Sequence, residues 1–330
     1  MSGVHIAGVG TYVPSQVVTN EDMSKIVETS DEWISQRSGI HERRFSQGET
    51  NCFMGAAAAR KAVENAQISG EDIDMIIGCT CTPDFYYPSL ACIMQDELDA
   101  KNAFCWDLNG ACSGFIYALD VAQHYISSGL KNILIVCSEV MSKEIDFTDR
   151  STCVLFGDAA AAVVVQPCLD GLYASYLKSV GSLGKNIVAR ALEPQGVFAT
   201  DKDNPKYKKF EDTKGHYASM VGNEVYRFAI KCLPEALENA CEKAGLGVSQ
   251  LDLIIPHQAN LRIIETAAKR LGVEMDKMFV NLERYGNTSC VSIPLCLGEL
   301  QDSGKLKRGA KLGLVGFGAG LTYGSIILEY

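Results

Sequence analysis

Short apolar runs bounded by turn residues alternate along this chain with stretches whose apolar residues recur at three- and four-residue spacing. That is the pattern of buried strands alternating with amphipathic helices. "IDMIIGCT" (73–80) and "LDLIIPHQ" (251–258) each read as a short buried strand after an acidic-rich or turn segment. About 27 to 30 residues later, "FCWDLNGACSGF" (104–115) and "FVNLERYGNTSC" (279–290) each read as a strand that turns through small residues into a helix. Each helix ends at Ser-Gly, in "SSGLKNILIVC" (127–137) and "DSGKLKRGAKLGLVGFG" (302–318), before basic residues and another strand. Matched points lie about 175 residues apart, so the repeated unit is a whole α/β half and not a solenoid repeat.

Alternating strands and helices imply parallel or mixed sheets with helices packed on their faces. Two such halves, 1–172 and 173–330, would form a layered α/β/α/β/α body. Residues 185–215, rich in Lys, Asp and Pro with little apolar periodicity, break the pattern. They read as a surface excursion within the second half, either a solvated loop or a lid.

Composition narrows the function classes. The 330 residues are 47% hydrophobic and 21% charged, with a net charge of −10 that argues against a nucleic-acid binder. An acidic partner would need a local basic patch. No apolar run reaches membrane-spanning length, and the start "MSGVHIAGVGTYVP" lacks the pattern of a signal peptide. The expected location is the cytoplasm. Thirteen cysteines, an odd number, fit free thiols better than a disulfide framework. "CTC" at 79–81 has no second ligand pair nearby, which argues against a zinc site.

Candidate chemistry starts at Cys112. Phe115, Ile116, Leu119, Ala122 and Ile126 recur at helical spacing, so a helix starts near this cysteine. A helix N-terminus lowers a thiol pKa and favours the thiolate nucleophile. On these grounds alone, a nucleophile and a packed core thiol remain equally open. His257 ends the buried run "LDLIIP", at the strand edge where open α/β sheets bind ligands. A helix follows it, with Leu261, Ile264 and Ala268 as its apolar face. Asn287, in "RYGNTSC", opens a helix and suits an N-cap. The duplication sets its turn opposite that of Cys112, with His257 between them. The glycine-rich "VGFGAGLTYG" (315–324) leads into a terminal strand rather than a helix, which suits an oxyanion hole better than a nucleotide loop.

"DLNGACSGFIYAL", "HQANLRI", "YGNTS" and "GFGAGLTYG" together resemble β-ketoacyl-acyl-carrier-protein synthase III of the thiolase superfamily, as do "DEWISQRSGIHERR" (31–44), "FGDAAAAVVV" (156–165) and "VGNEVYRFA" (221–229). The resemblance runs in order over essentially the whole chain. It implies the thiolase-like duplicated five-layer α/β/α/β/α fold and a homodimer. It implies a triad of Cys112, His257 and Asn287, and an oxyanion hole from the backbone N–H groups of Cys112 and Ala319. The activity implied is decarboxylating condensation of an acyl-CoA primer with malonyl-acyl carrier protein, with no metal or redox cofactor.

The resemblance also implies a CoA site of Trp33, Arg37, Arg150 and Asn260. In it, Trp33 and Arg150 enclose the adenine. Tyr87, in "PDFYYPS", is the position that limits the primer chain. Arg227, Arg262, Lys269 and Arg270 supply a basic patch for the acidic carrier protein. A degradative thiolase would carry a cysteine in the C-terminal glycine-rich turn, and an elongating ketosynthase a second histidine in place of Asn287. Neither is present in this sequence. A hydroxymethylglutaryl-CoA synthase would need a glutamate motif that the sequence lacks. A synthase III paralogue of secondary metabolism stays open, and a non-catalytic partner subunit is a weaker alternative because the triad is complete.

Overall fold

A computed structural model describes residues 3–191 and 217–330. The first half contains β1 (Gly3–Tyr12), β2 (Val17–Thr19), α1 (Asn20–Ser24), α2 (Asp31–Ser38), β3 (Glu42–Arg44), α3 (Asn51–Asn65), β4 (Met75–Cys79), α4 (Leu90–Glu97), β5 (Phe104–Leu108), α5 (Gly114–Ser127), β6 (Ile133–Glu139) and β7 (Ala159–Cys168). The second contains β8 (Tyr173–Ser179), β9 (Ile187–Val188), β10 (Ser219–Met220), α6 (Gly222–Lys243), β11 (Leu253–Pro256), α7 (Leu261–Leu271), α8 (Leu282–Tyr285), α9 (Ser292–Asp302), β12 (Lys311–Gly318) and β13 (Thr322–Glu329).

One sheet has the order β1-β7-β6-β4-β5 and the other β8-β13-β12-β11. In both, one parallel pair (β4 with β6, β11 with β12) is followed by antiparallel neighbours toward β1 and β8. The counterpart of β5 in the second sheet shrinks to one parallel bridge between Ile254 and Met278.

Helices α5 and α9 lie between the sheets. Phe115, Ile116 and Leu119 of α5 and Ile293 and Leu297 of α9 share one core with Ile77, Ile135, Leu312, Leu314 and Ile326. Outside the first sheet, α3 and α4 pack Met54, Ala62, Leu90 and Met94 against Ile76 and Leu134. Outside the second, α6 and α7 pack Leu237, Ile264 and Ala268 against Ile254 and Ile327. The five-layer duplicated architecture expected from the sequence is therefore the one observed.

The repeat is tighter than the sequence reading gave. One offset of 178 residues relates Met75 to Leu253, Ala111 to Ser289 and Gly114 to Ser292, the starts of matching strands, turns and helices. Other expectations need adjustment. The buried face of α7 is Ile263, Ile264, Ala267 and Ala268, while Leu261 is half-buried against it. The "AAAAVVV" run is a central strand buried on both faces, where small residues suit close packing against β1 and β6. Of the excursion at 185–215, residues 192–215 lie outside the described residues, and its first part forms β9, paired with β10.

All thirteen cysteines are free thiols. Among the described residues, no helix is long and apolar enough to cross a membrane, and no cluster of three or more His, Cys, Asp or Glu side chains is placed to hold a metal ion.

Strand β1 lies hard against α3. A methyl group on Gly10 would stand 2.1 Å from the Ala58 carbonyl oxygen and 2.4 Å from the Ala62 nitrogen, both backbone atoms. Gly10→Ala is therefore expected to lower unfolding free energy by about 1–3 kcal/mol, as overpacking does elsewhere. Urea denaturation measures this, and an unchanged midpoint would refute so close a contact.

Candidate active site

A cavity of about 1320 Å³ opens where the two halves meet, and Cys112, His257, Asn287 and Ala319 all line it. Each arrives on an element end. Cys112 sits in a single 3-10 turn, Ala111–Ser113, between β5 and α5. Ala111 holds φ at 45°, a left-handed conformation rare for a residue with a side chain. The matching turn of the second half, Ser289–Val291, holds Ser289 at φ 53°. Both turns bend the chain sharply into a buried helix, the first from strand β5 and the second from the short helix α8.

His257 directly follows β11, and its backbone N–H donates to the Val315 carbonyl at 2.8 Å. Its ring is 1% exposed. The ring packs edge-on against Phe317, and its Nδ1 lies 2.7 Å from Ser292 Oγ. Burial drives its pKa down to about 3, so the ring is neutral.

Asn287 is anchored through its backbone. Its N–H donates to Leu155 O at 2.8 Å, and its carbonyl accepts from Gly157 N–H at 3.0 Å. Its side-chain oxygen accepts from Ser289 N–H at 2.9 Å. This is a local turn and not the cap of α9, which starts five residues later at Ser292.

The thiol corrects one expectation. Burial pushes Cys112 up to about 12, the nearby Glu139 carboxylate adds to the rise, and the Ser289 hydroxyl and the Cys112 backbone N–H oppose it. The lowering expected from a helix start is outweighed by this burial.

Glu139, at the end of β6, was not anticipated. It is fully buried. Its carboxylate accepts from Thr82 Oγ1 at 2.6 Å and from the N–H groups of Cys81 and Thr82 at 3.1 Å. It also accepts from the Cys81 and Cys290 thiols at 3.2 and 3.3 Å. Cys290 is the residue 178 positions from Cys112. It is buried beneath the site, while Cys112 lines the cavity. Periodicity could not reveal Glu139, because it closes an apolar strand run and its partners lie far along the chain.

The glycine-rich segment is the β12–β13 hairpin, as expected from its lead into a strand. Gly318 lies so close to the Cys112 turn that a methyl group there would stand 2.8 Å from the backbone nitrogens of Cys112 and Ser113. Ala319 follows, and its carbonyl accepts from Thr322 Oγ1 at 3.1 Å.

At the mouth, the guanidinium of Arg37 stacks 4.6 Å from the Trp33 ring centroid and that of Arg150 stacks at 5.2 Å. Trp33 and Arg37 line the cavity, while Arg150 stands beside them and donates to the Glu28 carbonyl at 3.0 Å. An aromatic base inserted between Trp33 and Arg150 has to part them. Asn260 lines the cavity and caps α7. Its Nδ2 donates to the Arg37 carbonyl at 2.9 Å, and its Oδ1 accepts from Arg262 N–H at 2.9 Å.

Tyr87 is 87% exposed and off the cavity of its own chain, which Tyr86 lines instead. Ile187, Val188 and Arg190, from the start of the lysine-rich segment, line the cavity as well. Arg227, Arg262, Lys269 and Arg270 are exposed along the adjoining helices α6 and α7. Arg227 pairs with Glu224 at 2.8 Å, Arg262 lies 6.0 Å over the Tyr226 ring, and Arg270 donates to the Ile230 carbonyl at 2.8 Å.

The chain matches two family models: 3-oxoacyl-[acyl-carrier-protein] synthase III over residues 106–181, and the C-terminal domain of that enzyme over 241–330. It is 49% identical to the β-ketoacyl-[acyl-carrier-protein] synthase III of Clostridium acetobutylicum, with 100% of this chain and 99% of that protein aligned. It is 44% identical to that of Fusobacterium nucleatum over 100% and 99%. The crystal structure of the Aquifex aeolicus 3-oxoacyl-[acyl-carrier-protein] synthase III superposes with a TM-score of 0.90 at 42% identity, covering 99% of this chain and 100% of that one. A priming β-ketosynthase from the R1128 polyketide pathway gives 0.88 at 34%, covering 99% and 96%. With its duplicated fold, its turn-borne cysteine and full-length relatives at this level of identity, the chain belongs to the β-ketoacyl-[acyl-carrier-protein] synthase III family, condensing acyltransferases that join an acyl-CoA to malonyl-[acyl-carrier protein] at the start of fatty acid synthesis.

Proposed function

We propose that Cys112, His257 and Asn287 are the catalytic residues and that this chain catalyses its family's priming condensation. The observation that carries the reading is their convergence. A thiol on a turn of the first half and two N–H-bearing side chains of the second line one cavity. The Cys112 sulfur attacks the thioester carbonyl of an acyl-CoA, its proton passes to the departing CoA sulfur, and an acyl-enzyme remains. The oxyanion formed faces the backbone N–H groups of Cys112 and Ala319, whose elements pack closely around Gly318. Malonyl-[acyl carrier protein] then enters through the same mouth. Its thioester oxygen accepts hydrogen bonds from neutral His257 and from Asn287, which stabilise the charge left as CO₂ departs. The resulting carbon nucleophile attacks the acyl-Cys112 carbonyl and releases a β-ketoacyl-[acyl carrier protein]. The bonds made and broken call for no metal or redox group.

The supporting parts follow the same reading. Residues 1–172 and 173–330 act as the two halves, one carrying the nucleophile and the other the hydrogen-bond donors. Trp33, Arg37, Arg150 and Asn260 bind CoA, the nucleotide parting the stacked Trp33–Arg150 pair. The enzyme works as a cytoplasmic homodimer in which the exposed Tyr87 reaches the partner's primer pocket. The R1128 likeness keeps a priming role in secondary metabolism as the second reading. Full-length identity of 49% to a named β-ketoacyl-[acyl-carrier-protein] synthase III favours the first.

Incubation with acetyl-CoA and other short acyl-CoAs, followed by mass spectrometry, tests the reading. An acyl mass is expected on the Cys112 peptide and none in Cys112→Ala. No adduct from any primer would sink the enzyme assignment.

Arg227, Arg262, Lys269 and Arg270 form the carrier-protein patch in this scheme, beside the cavity that Arg262 itself lines. Arg262→Glu is expected to raise KM for malonyl-[acyl carrier protein] by roughly tenfold and leave KM for acyl-CoA unchanged, since rim charges steer association. Equal changes in both constants would count against docking there.

The neutral, buried His257 also has a thermodynamic signature. Its folded pKa of about 3 lies below the ordinary value of 6.5. The unfolded chain therefore binds the extra proton first. The ring's contribution is complete above pH 6.5 and is lost as pH falls toward 3. Relative to His257→Gln, the parent protein should lose about 1.4 kcal/mol of unfolding free energy per pH unit across that window. Parallel pH profiles in urea denaturation would show that the ring is not buried neutral.

A further inference from the structure

Ser292 begins α9, and nothing in the family-level scheme assigns it a task. It is 1% exposed. Its hydroxyl oxygen lies 2.7 Å from His257 Nδ1 and accepts the Gln258 backbone N–H at 3.4 Å. A hydroxyl has one proton to give and two lone pairs to receive with. The Gln258 N–H can only donate, so it occupies one lone pair. Among the described residues, no second acceptor lies within hydrogen-bonding distance of the Ser292 oxygen, so its proton has His257 Nδ1 as its partner. The opposite arrangement, with Nδ1–H donating to the serine, would leave a buried hydroxyl proton unpaired.

We infer that Ser292 is a positioning residue that fixes His257 as the neutral tautomer with its proton on Nε2. The inference rests on the condensation reading for its consequence but not for its geometry. A histidine that is to donate to a thioester oxygen needs Nε2–H. The other tautomer would turn a lone pair toward the developing negative charge. The ring is closely packed, with Phe317 edge-on at 5.4 Å between ring centroids.

The repeat supplies independent support. The offset of 178 residues sets Cys79 opposite His257 and Gly114 opposite Ser292. The same pair of positions touches in both halves, since the Cys79 thiol faces the Gly114 carbonyl at 3.8 Å. The hydroxyl occurs only in the half where the facing residue is an imidazole.

Isotopically labelled histidine nitrogens in the full-length protein report the tautomer by NMR, and five histidines make His257 assignable through His257→Gln. The expected spectrum shows His257 protonated on Nε2 and not titrating from about pH 5 to 8. Ser292→Ala should shift the ring toward Nδ1–H. It should also cut the condensation kcat by ~10- to 10³-fold, the scale of a lost oxyanion donor. Acylation of Cys112 by acyl-CoA should stay within about twofold, because that step does not use His257 as a donor. Ser292→Thr, which keeps the hydroxyl, should restore both tautomer and rate. Proton residence on Nδ1 in the parent protein, or an unchanged tautomer in Ser292→Ala, overturns the inference. Because the tautomer is read without substrate, failure of the condensation assay alone points to the functional reading and not to Ser292.

Discussion

Burial of α5 and α9 between two sheets is the constraint from which the site follows. Both helices bury apolar side chains in the shared central core, and neither has a side-chain cap at its start. Their first turns therefore open inside the molecule, where backbone N–H groups need partners and water is scarce. The chain meets this with two matching left-handed residues, Ala111 and Ser289, that swing the chain into each helix. The cavity is the space left where these two turns approach. A thiol placed there is shielded, close to backbone donors, and faced by side chains from the other half.

Shielding has a chemical cost that the arrangement turns to use. Cys112 is held mostly protonated, with its pKa near 12, and His257 is held neutral near 3. The two do not form an ion pair of the kind that activates many catalytic cysteines. In the proposed condensation, thiol reactivity then depends on local donors and on the bound thioester, and the histidine serves as a donor. Glu139 belongs to the same design. Its carboxylate gathers the 80–82 turn and the Cys290 thiol, and so joins a strand end of one half to the turn that bears Asn287 and Ser289 in the other.

Much of this was legible in the chain. The paired runs around Ile76 and Ile254 announced the duplication. The spacing Phe115, Ile116, Leu119 announced the helix behind Cys112, and the strand ending at His257 announced the edge of the site. The register was less legible. Reading the turns as equivalent set Asn287 against Cys112, whereas the true mate of Cys112 is Cys290; the paired strand runs already set Cys79 against His257. Small residues on both sides make such a turn look alike over a three-residue shift. Glu139 and Ser292 escaped notice because their roles arise from contacts across long sequence separations. The thiol pKa went the other way because a local rule about helix ends knows nothing of burial by the opposite half.

Two tryptophans serve the whole chain. Trp106 lies in β5, packed against the central core, and Trp33 stands at the cavity mouth between two guanidinium groups. Cations stacked on an indole perturb its excited state, and a nucleotide base inserted against it quenches the emission by a different route. Under the proposed CoA reading, the mouth carries a built-in optical gauge. Its signal would follow the parting of Trp33 and Arg150 in real time and without a label, against the background of the second indole.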